Sequence, residues 1–180
     1  MTDTPNVKLE IVGLKEALRE LNNLDKTARR EITRDFKRIC KPVVDAAKQA
    51  VPREAPISGW NRAWKPSSNY QALPWKATLA TSRIQAKVSG KKPREYNGRM
   101  TNLAVFSIAW AGAINTIFDL AGRGGRGDTA AGANMIRGLE ARRGRASRVL
   151  WPAYEANKQD VERELASILD DVMRQVSKAI

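Results

Sequence analysis

The sequence predicts an α+β domain. A small antiparallel sheet packs against long N-terminal and C-terminal amphipathic helices, and two long basic loops run between them. Three observations predict this arrangement. Apolar residues recur every three or four positions near both ends of the chain, they alternate every second position in between, and two intervening stretches show neither period. With 180 residues, 42% of them hydrophobic, residues 1–180 read as one domain able to bury a core of its own.

Residues 7–12 (Val-Lys-Leu-Glu-Ile-Val) alternate apolar and charged for most of their length, the pattern of a short half-buried strand, and Gly13 breaks it. Leu14, Leu18 and Leu21 then mark a short amphipathic helix that stops at Asn22 and Asn23. A longer helix begins near Asp25, an N-cap candidate. Its apolar stripe is Ala28, Ile32, Phe36, Ile39, Val43, Ala47 and Ala50, with Arg29, Arg30, Arg34, Lys37, Lys41 and Lys48 opposite. Pro42 lies inside the pattern and predicts a kink, or a break at Lys41.

Residues 52–76 differ in kind. They hold four Pro and set Trp60, Trp64, Tyr70 and Trp75 among Gly59, Ser58, Ser67 and Ser68. A loop this long without periodicity is usually functional or disordered, and disordered linkers seldom carry three Trp, so an interaction loop is expected. Residues 83–89 alternate with Ile84, Ala86 and Val88 on one face, a strand; residues 90–102 form a basic turn region; residues 103–110 read as a second strand pairing with the first as a hairpin. Ile114, Ile117, Phe118 and Ala121 fit one face of a helix, although a strand fits so short a run as well. Residues 122–148 hold seven Gly and seven Arg, and much of the segment is expected to be mobile in isolation. Trp151 and Pro152 return the chain to the fold, and a final helix runs from about residue 152 to 177 on the stripe Tyr154, Val161, Leu165, Ile168, Val172 and Val176.

The composition argues against catalysis. There is no His, which removes the commonest general base and metal ligand, and Cys40 is the one cysteine. A lone Cys forms neither an intrachain disulfide nor a Cys/His zinc cluster, and Cys40 among apolar helical neighbours reads as a small buried hydrophobe. The Gly-rich run at residues 122–127 lacks the Gly-Lys-Ser/Thr ending of a phosphate loop and the spacing of a dinucleotide fingerprint. Arg126-Gly127-Asp128 spells an adhesion tripeptide by chance in an Arg/Gly-rich stretch. Asp170 with Asp171, and Glu162 with Glu164, point away from each other on a helix and form a solvated face. No enzyme activity, cofactor or metal is expected. The opening residues carry no basic-then-apolar signal, and no apolar run approaches a membrane span of about 20 residues, so a cytoplasmic protein is expected, unless it leaves inside a particle.

The charge is concentrated. The chain carries net +13, and residues 52–150 hold seventeen Lys/Arg against five Asp/Glu. A single-sign field of this kind attracts polyanions or acidic protein surfaces. The candidate contact residues are Trp60, Trp64, Tyr70 and Trp75 in the first loop, with Arg123, Arg126, Arg137, Arg142, Arg143, Arg145 and Arg148 in the second. Arg on phosphate with aromatics on bases describes a non-specific nucleic-acid surface. The same residue types mark protein–protein hot spots, and the protein interface is the favoured reading.

The order of short motifs resembles the small tail-component or tail-completion family of long-tailed bacteriophages, to which the minor tail protein Z of phage lambda belongs. The matching pieces are Ile11-Val12-Gly13-Leu14-Lys15-Glu16-Ala17-Leu18, Lys41-Pro42-Val43-Val44-Asp45-Ala46-Ala47-Lys48 and Ala55-Pro56-Ile57-Ser58-Gly59. They continue with Ile117-Phe118-Asp119-Leu120-Ala121-Gly122 and Leu150-Trp151-Pro152-Ala153-Tyr154-Glu155. Against that pattern, residues 60–75 and 123–148 look like insertions. The resemblance implies an α+β virion protein assembled in host cytoplasm as a homo-oligomeric ring, of six, between the head and the tail. Its partners would be itself, the head-closure protein, the tail terminator and the tail tube, with phage DNA a further candidate and no membrane. A tail terminator capping the tube is the neighbouring alternative, and a non-specific nucleic-acid-binding protein is the alternative of another class.

Overall fold

The computed structural model describes residues 6–11, 26–61, 73–90, 94–96, 99–101, 104–125 and 127–179. Its fold is α+β. The elements, in chain order, are β1 (Asn6–Ile11), α1 (Lys26–Ile39), α2 (Lys41–Ala50), α3 (Ala77–Ser82) and β2 (Ile84–Gly90). They continue with β3 (Arg94–Tyr96), β4 (Arg99–Thr101), β5 (Ala104–Trp110), α4 (Ala113–Leu120), α5 (Ala130–Arg143), α6 (Leu150–Glu155) and α7 (Lys158–Ala179). The helix expected around Leu14–Leu21 lies outside the described residues.

The two strands expected as a hairpin, β2 and β5, pair antiparallel, with Ile84 opposite Trp110 and Ala86 opposite Ile108. The sheet is larger than a hairpin, because β1 pairs along the other edge of β5, placing Val7 opposite Ile108 and Leu9 opposite Phe106. The order β1-β5-β2 makes β5 the central strand, which accounts for its nearly unbroken apolar sequence. Side chains alternate across the sheet as its period of two requires: Ile84, Ile108 and Trp110 are buried, while Gln85 and Lys87 are exposed. The basic turn between β2 and β5 carries a small ribbon of its own, β3 paired with β4.

Helices cover the apolar face. On α1, Ile32, Phe36 and Ile39 are buried at steps of four and three, while Arg30, Arg34, Lys37 and Arg38 face outward. The chain breaks where Pro42 predicts. Having no N–H, Pro42 cannot donate to the Arg38 carbonyl, so the helix turns at Cys40 and restarts as α2, with Pro42 in its first turn. From α2, Val43 and Ala47 enter the same cluster, which α6 and α7 complete with Leu150, Ala153, Val161 and Leu165. An Arg38–Glu164 contact of 3.5 Å links α1 to α7, but both side chains are well exposed and the pair adds little.

The last helix is two helices rather than one. The break falls at Ala156 and Asn157, where the Asn157 side chain donates to the Ala153 carbonyl at 2.8 Å and its backbone N–H to that of Tyr154 at 2.9 Å. An Asn that binds nearby backbone competes with the helix in this way. The first piece starts at Leu150, so Pro152 sits in an opening turn that needs no N–H from it.

The Gly/Arg-rich segment 122–148 departs most from expectation, because α5 fills over half of it. Thr129 caps the helix by accepting the Gly132 N–H at 3.1 Å, and Gly144, at φ +81°, ends it where a side chain would be strained. Ile136 and Leu139 are buried beneath it. Sequence periodicity missed this helix because two of its positions are Gly and its buried stripe is only two residues deep.

Trp60 and Trp75, expected as contact residues, belong to the core, at 2% and 7% exposure. Their rings meet edge to face at 6.2 Å between centroids, and each meets Phe118, at 6.4 Å and 5.3 Å; Trp110 meets Phe118 at 5.9 Å. The Trp75 indole donates to the Pro52 carbonyl at 3.0 Å and the Trp110 indole to that of Ala80 at 2.8 Å, which removes most of the polar cost of burying those two, whereas the Trp60 indole N–H is buried without a partner among the described residues. Rings of this size bury a large apolar area, and that burial holds the two ends of the loop against the core. Phe118→Ala is expected to cost about 3–5 kcal/mol in urea unfolding, since three indoles lose their common neighbour; a loss below about 1 kcal/mol would show that the cluster is not held through Phe118.

Candidate interaction surface

Phe118 and Asp119, adjacent near the end of α4, anchor the bases of both excursions. Phe118 holds Trp60 and Trp75, which bracket residues 61–74, and the Asn61 carboxamide oxygen closes that bracket by accepting the Trp75 N–H at 2.6 Å. Asp119 holds the other excursion. Its carboxylate accepts the Val149 N–H at 2.7 Å, and its backbone carbonyl accepts the Ser147 N–H at 2.6 Å.

Arg148 completes the clasp, which corrects its assignment as a contact residue. It is 9% exposed, and its guanidinium is turned inward onto main-chain oxygens. Nη1 donates to the Phe118 carbonyl at 2.7 Å, Nη2 to that of Ala121 at 3.0 Å, and Nε to that of Gly144 at 2.9 Å. Phe118 and Ala121 sit at the C-terminal end of α4, where carbonyls lack helical partners and a cation is favoured. A planar fork reaches several of them at once, as a Lys ammonium would not. Burial pulls the Arg148 guanidinium down from its ordinary value, with the Asp119 and Glu140 charges opposing. Burial likewise pushes the Asp119 carboxyl up, against the Val149 and Arg148 backbone N–H groups and the charges of Arg148 and Arg123, which pull it back.

The two excursions are not separate loops. Ile57 of the first packs on α5 at Gly138, its side-chain carbons 3.6 and 3.7 Å from where a Cβ would stand. Beside this seam runs an open groove of about 570 Å3, with Ala55, Ile57, Ser58 and Asn61 along it and Glu54 and Arg142 supplying charge. Arg123, Arg137, Arg142, Arg143 and Arg145 are all exposed. Arg137 is steadied by Asn134 at 2.5 Å, whereas Arg142, Arg143 and Arg145 make no ion pair among the described residues. Trp64, Tyr70 and Arg126 lie outside the described residues.

No protein-family model, no curated protein and no solved structure matches this chain.

Two residues of consequence escaped sequence reasoning. Asp119 carries no sequence signal beyond its place in an apolar–acidic–Gly motif, yet it is 1% exposed and ties residues thirty positions apart. Trp151, expected to re-enter the fold, is 51% exposed. Because α6 begins at Leu150, the inward positions fall to Leu150 and Ala153, and Trp151 is turned out against the ring of Tyr154, 5.8 Å away. Tyr154 in turn donates to Glu162 at 2.8 Å, and burial, followed by that bond, pushes its hydroxyl to about 12.

Among the described residues no cluster of His, Cys, Asp or Glu could hold a metal, and no helix is long and apolar enough to cross a membrane. Cys40 is 2% exposed and burial pushes its thiol to about 12, so almost none is thiolate near neutrality. Native protein should resist iodoacetamide and become labelled only in denaturant; rapid labelling of the folded chain would contradict this burial.

Asp119→Ala is expected to cost about 1–3 kcal/mol by leaving the Val149 N–H buried without an acceptor, and Asp119→Asn substantially less. The pH dependence has a fixed sign. With its folded-state value raised, the carboxyl contributes stability below its unfolded value and loses that contribution as pH rises through the folded value. Asp119→Asn, unable to ionise, should therefore gain stability relative to the native chain from acid toward neutral pH, read by urea melts at matched pH. A gap that closes in the opposite direction would contradict the burial argument.

Proposed function

We propose that this protein is a non-enzymatic structural component of the neck of a long-tailed bacteriophage, a tail-completion protein that assembles as a ring and joins tail to head. The motif order described above motivates the reading. It is supported by the way two of those motifs work together: the segment containing Phe118 and Asp119 holds the start of the segment containing Trp151 through the Asp119–Val149 bond.

The single observation that carries the reading is the exposed Trp151 on an anchored helix. A half-exposed Trp backed by Tyr154 is the residue type and setting of an interface hot spot. Head-to-tail ring contacts join unlike patches of one chain, and Trp151 supplies one of them. The chain has no His and Cys40 is sequestered, so neither a Ser–His nor a Cys–His pair can form.

The test is assembly. Negative-stain images of the purified full chain, alone and mixed with phage tails, are expected to show rings, or rings seated on tails. Rings that cap tubes but never bind heads would replace tail completion by the tail-terminator role. A monomer that joins neither tails nor capsids would overturn the proposal. Trp151→Ala should change unfolding stability by less than about 0.5 kcal/mol while weakening assembly by about 2 kcal/mol or more in sedimentation; unchanged assembly would remove Trp151 from the interface.

A further inference from the structure

Between Glu140 and Glu155 the chain carries four Arg and no acidic residue. Arg148 is used internally by the clasp. The remaining three, Arg142, Arg143 and Arg145, are exposed and unpaired among the described residues. Helix α1 is also rich in cations, but there they interleave with Glu31 and Asp35, and Arg38 contacts Asp35 and Glu164. The dipole of α5 favours cations in its last turn, which accounts for Arg142 and Arg143. It does not account for Arg145, which lies beyond Gly144, where the helix has ended.

The surroundings of these three arginines select among anionic partners. Protein hot spots need aromatic or aliphatic anchors in a water-free centre. The described residues of both excursions expose no aromatic side chain, because Trp60 and Trp75 are withdrawn into the core. With those two rings inside, the described residues of the excursions offer no stacking platform for single-stranded bases. They offer guanidinium groups, small neighbours (Ala141, Gly144, Ala146) and, along the groove that Arg142 borders, the hydroxyl and amide groups of Ser58 and Asn61 beside Ile57 and one carboxylate, Glu54. The guanidinium, hydroxyl and amide groups are of the kind that contact sugar and phosphate without reading sequence.

We propose that the end of α5, through Arg142, Arg143 and Arg145, binds the phosphate backbone of double-stranded DNA irrespective of base sequence. Seating α5 against Ile57 and tying its far end at Arg148 holds the three cations on an ordered support. The inference does not depend on the phage-neck reading, since it rests on charge, exposure and the burial of the aromatics.

The test uses the full chain and a fluorescent duplex of about 30 base pairs, with anisotropy followed against salt. The native protein is expected to bind, with affinity falling steeply as salt rises. Arg142→Gln/Arg143→Gln/Arg145→Gln should lower the log–log salt slope by about 2.7 and weaken binding roughly 100-fold near 0.1 M salt. A scaffold variant of equal charge, Arg30→Gln/Arg34→Gln/Lys37→Gln, should lose no more than about threefold. Circular dichroism confirms that both variants are folded before their binding is compared. Equal losses in the two variants would overturn the proposal by showing a diffuse field rather than a site. So would failure of the native chain to bind duplex at low salt. Tighter binding to single strands of the same length, or equally tight competition by polyglutamate, would also overturn it, the last pointing to an acidic protein partner.

Discussion

The structure depends on one dipeptide, Phe118-Asp119, lying where two kinds of force must be satisfied in adjacent positions. The Phe118 ring gathers three indoles by edge-to-face contact, an apolar interaction that places the positive ring edge on the negative face of its neighbour. The Asp119 carboxylate and carbonyl hold Val149 and Ser147, and the carbonyls around them are bridged by Arg148. Neither role can be moved by one residue along a helix without turning the side chain about a quarter of the way round. The polar half carries the larger burden, although the Trp60 indole N–H is also buried without a partner among the described residues. Asp119 and Arg148 both give up hydration, and each is driven toward its neutral form by burial. What offsets this is hydrogen bonding to the main chain, Asp119 to the Val149 N–H and Arg148 to the carbonyls of Phe118, Ala121 and Gly144, with each charge also favouring the other.

This arrangement explains how the chain tolerates two long basic excursions. The entropic cost of closing a loop rises slowly with length, so what matters is how firmly its ends are held. One excursion is closed by Trp60 and Trp75 with the Asn61 bond between them, the other by Asp119 and Arg148. Phe118 and Asp119 are neighbours, so both closures share a foundation, and the contact of Ile57 with Gly138 joins the excursions again farther out. An interaction surface built in this way is positioned by the core rather than by the loops themselves.

What could be read from the sequence follows from how local each interaction is. Strands β2 and β5, the break at Pro42 and the burial of Ile32, Phe36, Ile39, Val43 and Ala47 express periodicity and proline chemistry within a dozen residues, and all were legible. Addition of β1 to the far edge of β5 joins residues about a hundred positions apart, and nothing in either strand specifies its partner. Helix α5 announced itself only by Thr129 and Gly144 at its ends, while interior Gly and a two-residue stripe hid its period. The candidate surface was legible as charge but not as geometry. Trp60, Trp75 and Arg148 have the residue types of contacts, and only the positions of Phe118 and the α4 carbonyls show that they are consumed inside. Trp151 failed in the reverse sense, because its exposure follows from a helix beginning one residue before it.

The burial of the tryptophans changes what the positive charge can be for. An arginine beside an exposed indole is ambiguous, since stacking on a base and anchoring in a protein pocket use the same pair of side chains. With Trp60 and Trp75 turned inward, Arg142, Arg143 and Arg145 have no exposed aromatic beside them among the described residues of the excursions, and their attraction is long-ranged and salt-sensitive. An exposed aromatic such as Trp151, by contrast, would act through short-ranged contact that salt hardly alters. A molecule with both can be drawn to a polyanion over distance and fixed to a protein by contact. The two steps would then respond differently to ionic strength. Long-range attraction suits a partner that must be found, and close aromatic packing suits one that must be kept.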